Sequence, residues 1–387
     1  MGIDNCVYHE CMQLTSQVKF CPNAFRVDMY RGCDFGCKYC FANMEAFHET
    51  GTGLSVWRRA DIDHVKHMFH TALETDKESM SVIVELLRHG VPLHVGGMSD
   101  PFQKREWEYG LTKELIQISK QYDYPLMFST KTADLPRDYY DILDPRIHAF
   151  QVSIMGWSPE YIRKWEVNTP SAQKRAEFVQ LLRKDFGLWC GVRIQPVINV
   201  SEVEKLIEAF GDIPSFYTIE HLHVITDSYE AYKSLLKYVG GTEGDPAHFV
   251  HSGGVTEFRH DIKQANAERL IQCANKYGVK VGVGDNDLHF MSQARSCCGI
   301  DLVGEKFNNF LKFNSCYMST GDVDVSKLWY PKSNVRRHMN IGARKPTVFV
   351  DDVVRKYIQR NPQIIPDKYR QSLFKQLFGN APRNLFD

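Results

Sequence analysis

Two rhythms of apolar and polar positions take turns along this chain. Short runs rich in Val, Ile, Phe and Tyr read as strands at Phe25 to Tyr30, Pro92 to Gly97, Pro125 to Thr130, His148 to Ile154, Trp189 to Ile198 and Ser215 to Val224. Between them, segments such as REWEYGLTKELIQISKQY, PSAQKRAEFVQLLRKDF and SEVEKLIEAF carry apolar residues at spacings of three and four, the stripe of an amphipathic helix. Strand then helix, repeated from about residue 24 to 225, predicts an α/β fold with a parallel sheet and right-handed crossovers. Such a sheet curls toward a partial (β/α)6 TIM-type barrel, with reactive groups at the C-terminal ends of its strands. A helix from Ala267 to Tyr277 and a strand from Val279 to Gly284 offer a seventh unit. The expected division is an N-terminal segment (1–24), the barrel (25–225), additional βα elements (226–284) and an irregular C-terminal extension (285–387).

Composition narrows the class. With 387 residues, 43% apolar and 24% charged, and no apolar run of 18, the chain reads as a soluble globular protein and excludes collagen, wholesale disorder and a membrane span. The start MGIDNCVYHECMQ has no basic region followed by an apolar stretch, so the cytoplasm is the expected location. The formal net charge is zero, but Ser326 to Asp387 holds 13 Lys+Arg against 4 Asp+Glu. That tail suits either a phosphate-rich partner or docking on the acidic body. KSNVRRHMNIGARK, with Trp329, Tyr330 and His338 nearby, mixes basic and aromatic residues in the way expected for a nucleic acid or nucleotide. Eleven cysteines in a reducing compartment point to metal ligation rather than disulfides.

The chemistry concentrates in YRGCDFGCKYCFA, where Cys33, Cys37 and Cys40 form Cys-x3-Cys-x2-Cys after the first strand. A closed zinc site needs four ligands, whereas three thiolates on a [4Fe–4S] cluster leave one iron open; a zinc site with its fourth ligand elsewhere is the alternative. Gly32 and Gly36 allow a tight loop, and Tyr39 places a ring beside the open iron. This spacing resembles the radical S-adenosylmethionine superfamily. The resemblance implies that the open iron chelates S-adenosylmethionine, and that one electron, from a donor such as flavodoxin or ferredoxin, yields a 5′-deoxyadenosyl radical that abstracts hydrogen from the substrate.

Further blocks are similar to the spore photoproduct lyase and DNA-repair-photolyase-like branch of that superfamily, over roughly Phe25 to Val224. Gly96 and Gly97 resemble its glycine pair near the methionine end of the cofactor, and Ser99, Asp100 and Pro101 its Ser/Thr-Asp-Pro turn. Thr130-Lys131 resembles its Thr-Lys, with Lys131 suited to a carboxylate of the cofactor; Val152-Ser153 resembles its Val-Ser, and Glu166 and Arg175 its Glu, Pro and Arg helix. The resemblance thus implies cofactor contacts from Tyr39, Gly96, Gly97, Ser99, Asp100, Lys131, Ser153 and Arg175. One departure concerns the substrate: where the lyase carries a hydrogen-donating Cys, this chain has Gly97-Met98, and a thioether does not supply a hydrogen atom as a thiol does.

Other groups remain open at this level. Cys297, Cys298 and Cys316 read as ligands of a second iron–sulfur cluster, as a zinc site or as buried thiols. Cys190 and Cys273 read as core, and His64, His67 and His70 as a solvated helix face. Glu220, His221 and His223 end the sixth strand and are candidates for substrate contact or proton transfer; Asp285, Asn286 and Asp287 bind substrate or cap a turn. The functional expectation is a radical enzyme acting on an unidentified substrate, a nucleic acid or nucleotide among the candidates. The alternatives are a peptide- or metabolite-modifying radical enzyme and a non-catalytic, metal-stabilised nucleic-acid-binding protein.

Overall fold

A computed structural model describes residues 7–14, 23, 25–42, 57–76, 79, 81–225, 246–252 and 255–309. Cys6, Cys21, Cys316 and the basic tail lie outside the described residues. The central sheet has seven parallel strands: β1 (Phe25–Val27), β2 (Leu93–Val95), β3 (Leu126–Thr130), β4 (His148–Ser153), β5 (Trp189–Val197), β6 (Tyr217–His221) and β7 (Val281–Val283). They lie side by side in chain order, and Met12–Leu14 adds an antiparallel edge beside β1. This is the partial barrel the alternation predicts, with Val281–Val283 as the seventh strand. Every position of β3 and β4 is buried, as expected of parallel strands covered on both faces.

The crossovers carry α1 (Ile62–Leu73), α2 (Val82–Arg88), α3 (Leu111–Gln121), α4 (Ala172–Lys184), α5 (Val200–Phe210) and α6 (His260–Asn275). Their starts follow from local chemistry. Asp61 accepts from the backbone N–H of Asp63 and His64 ahead of α1, Ser171 accepts from Lys174 ahead of α4, and Asn199 accepts from Ser201 and Glu202 ahead of α5. Their apolar stripes face the sheet: Leu115, Ile116 and Ile118 of α3, and Val203, Leu206 and Ile207 of α5, are buried.

Three elements differ from the pattern. The helical stretch around Trp107 is two helices, because Gly110 takes a left-handed φ of 66° and ends Glu106–Tyr109 before α3 begins. The first strand stops at Val27, and Tyr30–Arg31 instead pairs with Arg58–Ala60. The sixth strand slips register between Ile219 and His221, and His223–Ile225 then pairs antiparallel with Val255–Phe258 in a separate three-stranded sheet. Both strand breaks occur where the chain leaves the C-terminal end of the barrel.

Residues 285–309 form short 3-10 turns, yet they do not trail away from the barrel. Cys298, Ile300 and Phe307 pack with Met127 and Ala149, near the N-terminal ends of β3 and β4, and Gln151 Nε2 donates to the Cys298 carbonyl at 3.1 Å. The backbone of Cys297 passes so close over Gly282 of β7 that a Cβ there would collide with it. The stretch from Cys298 to Phe307 therefore fills the end of the barrel opposite the strand C-termini.

Candidate active site

The strand C-termini enclose a cavity of about 170 Å³, and the Cys33, Cys37 and Cys40 residues line it together. Their loop is held by distant parts of the chain. Gln103 reaches it twice, accepting from Asp34 N at 3.0 Å and donating to the Gly32 carbonyl at 3.1 Å. On the other side Cys37 bridges to Glu166, Lys38 N donates to the Trp165 carbonyl at 2.9 Å, and Asn168 N donates to the Phe35 carbonyl at 3.1 Å. Gly32 and Gly36 have φ of 84° and 61°, a region that side chains disfavour, so the tight loop depends on them. Burial pushes the Cys37 thiol up to about 12 even though Lys131 opposes the shift. Metal-free, it is a thiol; ligation to a metal removes the proton. Among the described residues no three His, Cys, Asp or Glu side chains converge closely enough to hold a single metal ion.

The chemistry of the donor set fits an iron–sulfur cluster: three sulfurs on one loop, facing one cavity, with a lysine beside them. Cys40 is near enough to both other thiols to oppose their ionisation, which places the three in one electrostatic neighbourhood. Gly96 and Gly97 at the end of β2 are required by close packing against their neighbours. A Cβ on Gly96 would lie 2.5 Å from the Ser129 carbonyl and 2.7 Å from Pro101, and one on Gly97 would lie 2.9 Å from the Arg26 side chain.

The residues predicted around the cofactor fall into two layers. Tyr39, Lys131 and Ser153 line the cavity, as do Gly96, Gly97, Ser99 and Asp100. The Ser99 hydroxyl is already committed, donating to the Tyr30 carbonyl at 2.6 Å. The Asp100 carboxylate accepts from Thr130 Oγ1 at 2.8 Å, Lys131 N at 2.6 Å and Phe102 N at 3.0 Å, which ties the ends of β2 and β3 together. Burial raises its pKa despite those donors. Arg175 does not line the cavity. It is fully buried behind it, where it donates to Glu166 Oε2 and to the Ser153 carbonyl, both at 2.6 Å. Glu166 also accepts from the Tyr39 hydroxyl, and Lys131 Nζ stands 3.9 Å from it. Burial opposes the Glu166 charge, but Arg175 and Lys131 outweigh it and hold the carboxyl below its ordinary range. Burial likewise works against charge on Lys131, and the acidic groups beside it, Glu166 among them, more than restore it.

The far wall comes from β5 and β6. His221 and His223 line the cavity, while Glu220 packs against Gly284. His221 Nδ1 lies 2.8 Å from Asp285 Oδ2, so Asp285, left open between substrate and turn-capping roles, is a partner of a cavity residue. Asp287 is not: it bonds His260 and Lys263 outside the cavity. His70 pairs with Glu74, while Cys190 and Cys273 are buried in the core. Sequence reasoning passed over His94, Arg193 and Gln195, which also line the cavity. Their signal was polarity inside otherwise apolar strands. His94 Nε2 lies 2.7 Å from Ser129 Oγ, and burial lowers its pKa to about 3, so the ring is neutral.

No protein-family model matches the chain. Uncharacterized proteins of Mycobacterium tuberculosis (strain ATCC 25618 / H37Rv) and Mycobacterium bovis are each 26% identical over 229 residues, 54% of this chain. The aligned part spans 62% of the length of those relatives. Among solved structures, spore photoproduct lyase complexed with dinucleoside spore photoproduct aligns with a TM-score of 0.50 at 15% identity, covering 70% of this chain and 79% of that one. A point mutant of the same lyase gives the same values. The likeness is one of fold: a mixed α/β chain around a large parallel sheet in a partial TIM-type arrangement.

Proposed function

We propose that this chain is a radical S-adenosylmethionine enzyme whose cluster is held by Cys33, Cys37 and Cys40. The observation that carries the reading is the presence of these three cysteines on one loop, beside Lys131 and the Gly96-Gly97 turn, in the cavity at the strand C-termini. When bound there, a [4Fe–4S] cluster with S-adenosylmethionine supplies reductive cleavage to a 5′-deoxyadenosyl radical and hydrogen abstraction from a substrate.

The chain's own residues prepare the site. Gly96 and Gly97, which line the cavity, let the end of β2 pack directly on Ser129, Pro101 and Arg26. Lys131, charged and on the rim, suits a carboxylate. Glu166 orients Tyr39 and Lys131 and is itself fixed by Arg175. Asp100 holds the β2 and β3 ends at fixed separation.

The favoured substrate class is a nucleotide. The fold is like that of a lyase complexed with a dinucleoside, and the cavity combines Arg193 and Lys131 with the rings of Phe35, Tyr39 and Phe41. Met98 lines the same cavity where that family carries a hydrogen-donating cysteine, so the product radical here is quenched by a different route. A flavodoxin- or ferredoxin-type protein is the proposed electron donor. Cys297, Cys298 and Cys316 are the proposed ligands of a second cluster, and of these Cys297 and Cys298 lie toward the end of the barrel opposite the first. No helix among the described residues is long and apolar enough to cross a membrane.

Anaerobic reconstitution with iron and sulfide tests the reading. The wild type forms 5′-deoxyadenosine from S-adenosylmethionine under reduction, and Cys33→Ala, Cys37→Ala and Cys40→Ala each form none. Product at the wild-type rate from any of the three overturns it, and a protein that binds nucleic acid but never cleaves the cofactor supports a non-catalytic role.

A further inference from the structure

His221 is an imidazole with 1% exposure in the cavity wall, and only one of its two nitrogens is satisfied. Nδ1 lies 2.8 Å from Asp285 Oδ2, and the same carboxylate accepts from the His221 backbone N–H at 3.2 and 3.3 Å. A carboxylate only accepts, so Nδ1 carries a proton, and Nε2 is the nitrogen left without a partner. Nε2 is buried and has no hydrogen-bond partner among the described residues. An unpaired buried polar atom is costly, and at the wall of a cavity a hydrogen-bonding group that enters it relieves that cost. The groups around the ring are fixed too: Phe258 meets it edge-on at 6.0 Å, and the neighbouring Glu220 carboxyl is pushed up by burial against the pull of His223 and Arg193. Arg193, on the adjacent strand β5, lines the same cavity. Its Nε donates to Gln195 at 2.5 Å, and its charge also acts on the Glu220 carboxyl of β6. One wall therefore offers an unpartnered imidazole nitrogen and, on the adjacent strand, a guanidinium.

We propose that His221, held in one tautomer by Asp285, is the group that reads the substrate: Nε2 accepts a hydrogen bond from a ring N–H of a nucleotide whose phosphate is met by Arg193. His221 contacts the ligand, and Asp285 is a positioning residue that acts through it. The inference rests on the nucleotide reading above and adds to it the atom that discriminates. A base with an N–H at its pairing edge is accepted, and one methylated there leaves Nε2 unpaired and is rejected.

The test uses the full chain labelled with 15N-histidine, with uridine 5′-monophosphate as probe and its N3-methyl derivative as control. Long-range 1H–15N spectra of the wild type show His221 as the Nδ1–H tautomer, and the probe shifts Nε2 while the methylated control does not. Asp285→Asn, whose amide donates to Nδ1, moves the proton to Nε2 and weakens probe binding roughly tenfold, as does His221→Gln, each by one lost hydrogen bond. An Nε2–H tautomer in the wild type overturns the proposal without needing any variant to fold. Probe and methylated control binding alike overturn it and leave the nucleotide reading standing. Failure of the probe to bind removes both, whereas cofactor cleavage by the reconstituted wild type is a separate readout that none of these results touches.

Discussion

Glu166 is where the cysteine loop, the lysine on the cavity rim and the crossover helix α4 meet, and replacing it by Gln changes one charge at nearly constant shape. Its side chain and that of Arg175 are both fully excluded from solvent, with 2.6 Å between Oε2 and the guanidinium. At that distance an effective dielectric of about 20 gives an attraction of about 6 kcal/mol, and desolvation of the two ions takes much of it back. Glu166→Gln removes the attraction and leaves the desolvated Arg175 cation behind, the situation that costs about 3–5 kcal/mol in other buried pairs. Gln retains one acceptor for Arg175, so the lower end, about 3 kcal/mol, is expected.

The pH dependence follows from the direction of the shift. The folded carboxyl titrates below the ordinary 4.5, so its contribution is complete above that value and is lost as pH falls through the folded value. Urea unfolding therefore shows a lower midpoint for Glu166→Gln at neutral pH with the slope unchanged, and the gap from wild type narrows only on acidification below about 4.5. Arg175→Met strands the opposite charge, and the double variant costs less than the sum of the two singles. A neutral-pH loss under about 1 kcal/mol, or strict additivity, refutes the reasoning.

Three further outcomes are expected. Gly96→Ala, at a φ of 96° with its Cβ 2.5 Å from the Ser129 carbonyl, loses about 1–3 kcal/mol or more of stability by thermal unfolding, and more than Gly110→Ala, which carries only the strain of a φ of 66° because its Cβ meets no atom within 4 Å. Lys131→Ala weakens S-adenosylmethionine binding to the reconstituted protein by about 1.5–3 kcal/mol in equilibrium dialysis, and unchanged affinity removes Lys131 from the cofactor site. Iron analysis of Cys33/Cys37/Cys40→Ala protein leaves about four iron atoms per chain if Cys297, Cys298 and Cys316 hold a second cluster, and none if those thiols are structural.

Much of the architecture was legible because it depends on local periodicity. Runs such as LMFST and HAFQVS have to be buried on both faces, the helices between them show their stripes, and parallel strands joined by crossovers have few ways to arrange themselves. The cysteine triad was legible for a related reason: three thiols and two glycines within a dozen residues bring their own geometry. Where local signals were misread, a tertiary partner had overridden them. The strand through Val224 was apolar enough to continue, but Val255–Phe258 offered an antiparallel partner and the chain bent at His221. Cys298 looked like part of a trailing extension, yet the open end of the barrel between Met127 and Ala149 needed apolar filling.

The division at the site follows sequence separation. The sequence by itself determined which chemical groups stand at strand ends, because strand ends are set by runs of neighbouring residues. Only the tertiary structure decided that Glu166 is shared by Arg175, Tyr39 and Lys131, that Gln103 clamps the cysteine loop, and that Asp285 leaves His221 one open nitrogen. His221 and Asp285 are 64 residues apart, and Tyr39 and Glu166 are 127 apart. No local propensity couples such positions; the hydrogen bonds exist because burying one polar group in a barrel requires a partner from whichever strand the fold sets beside it.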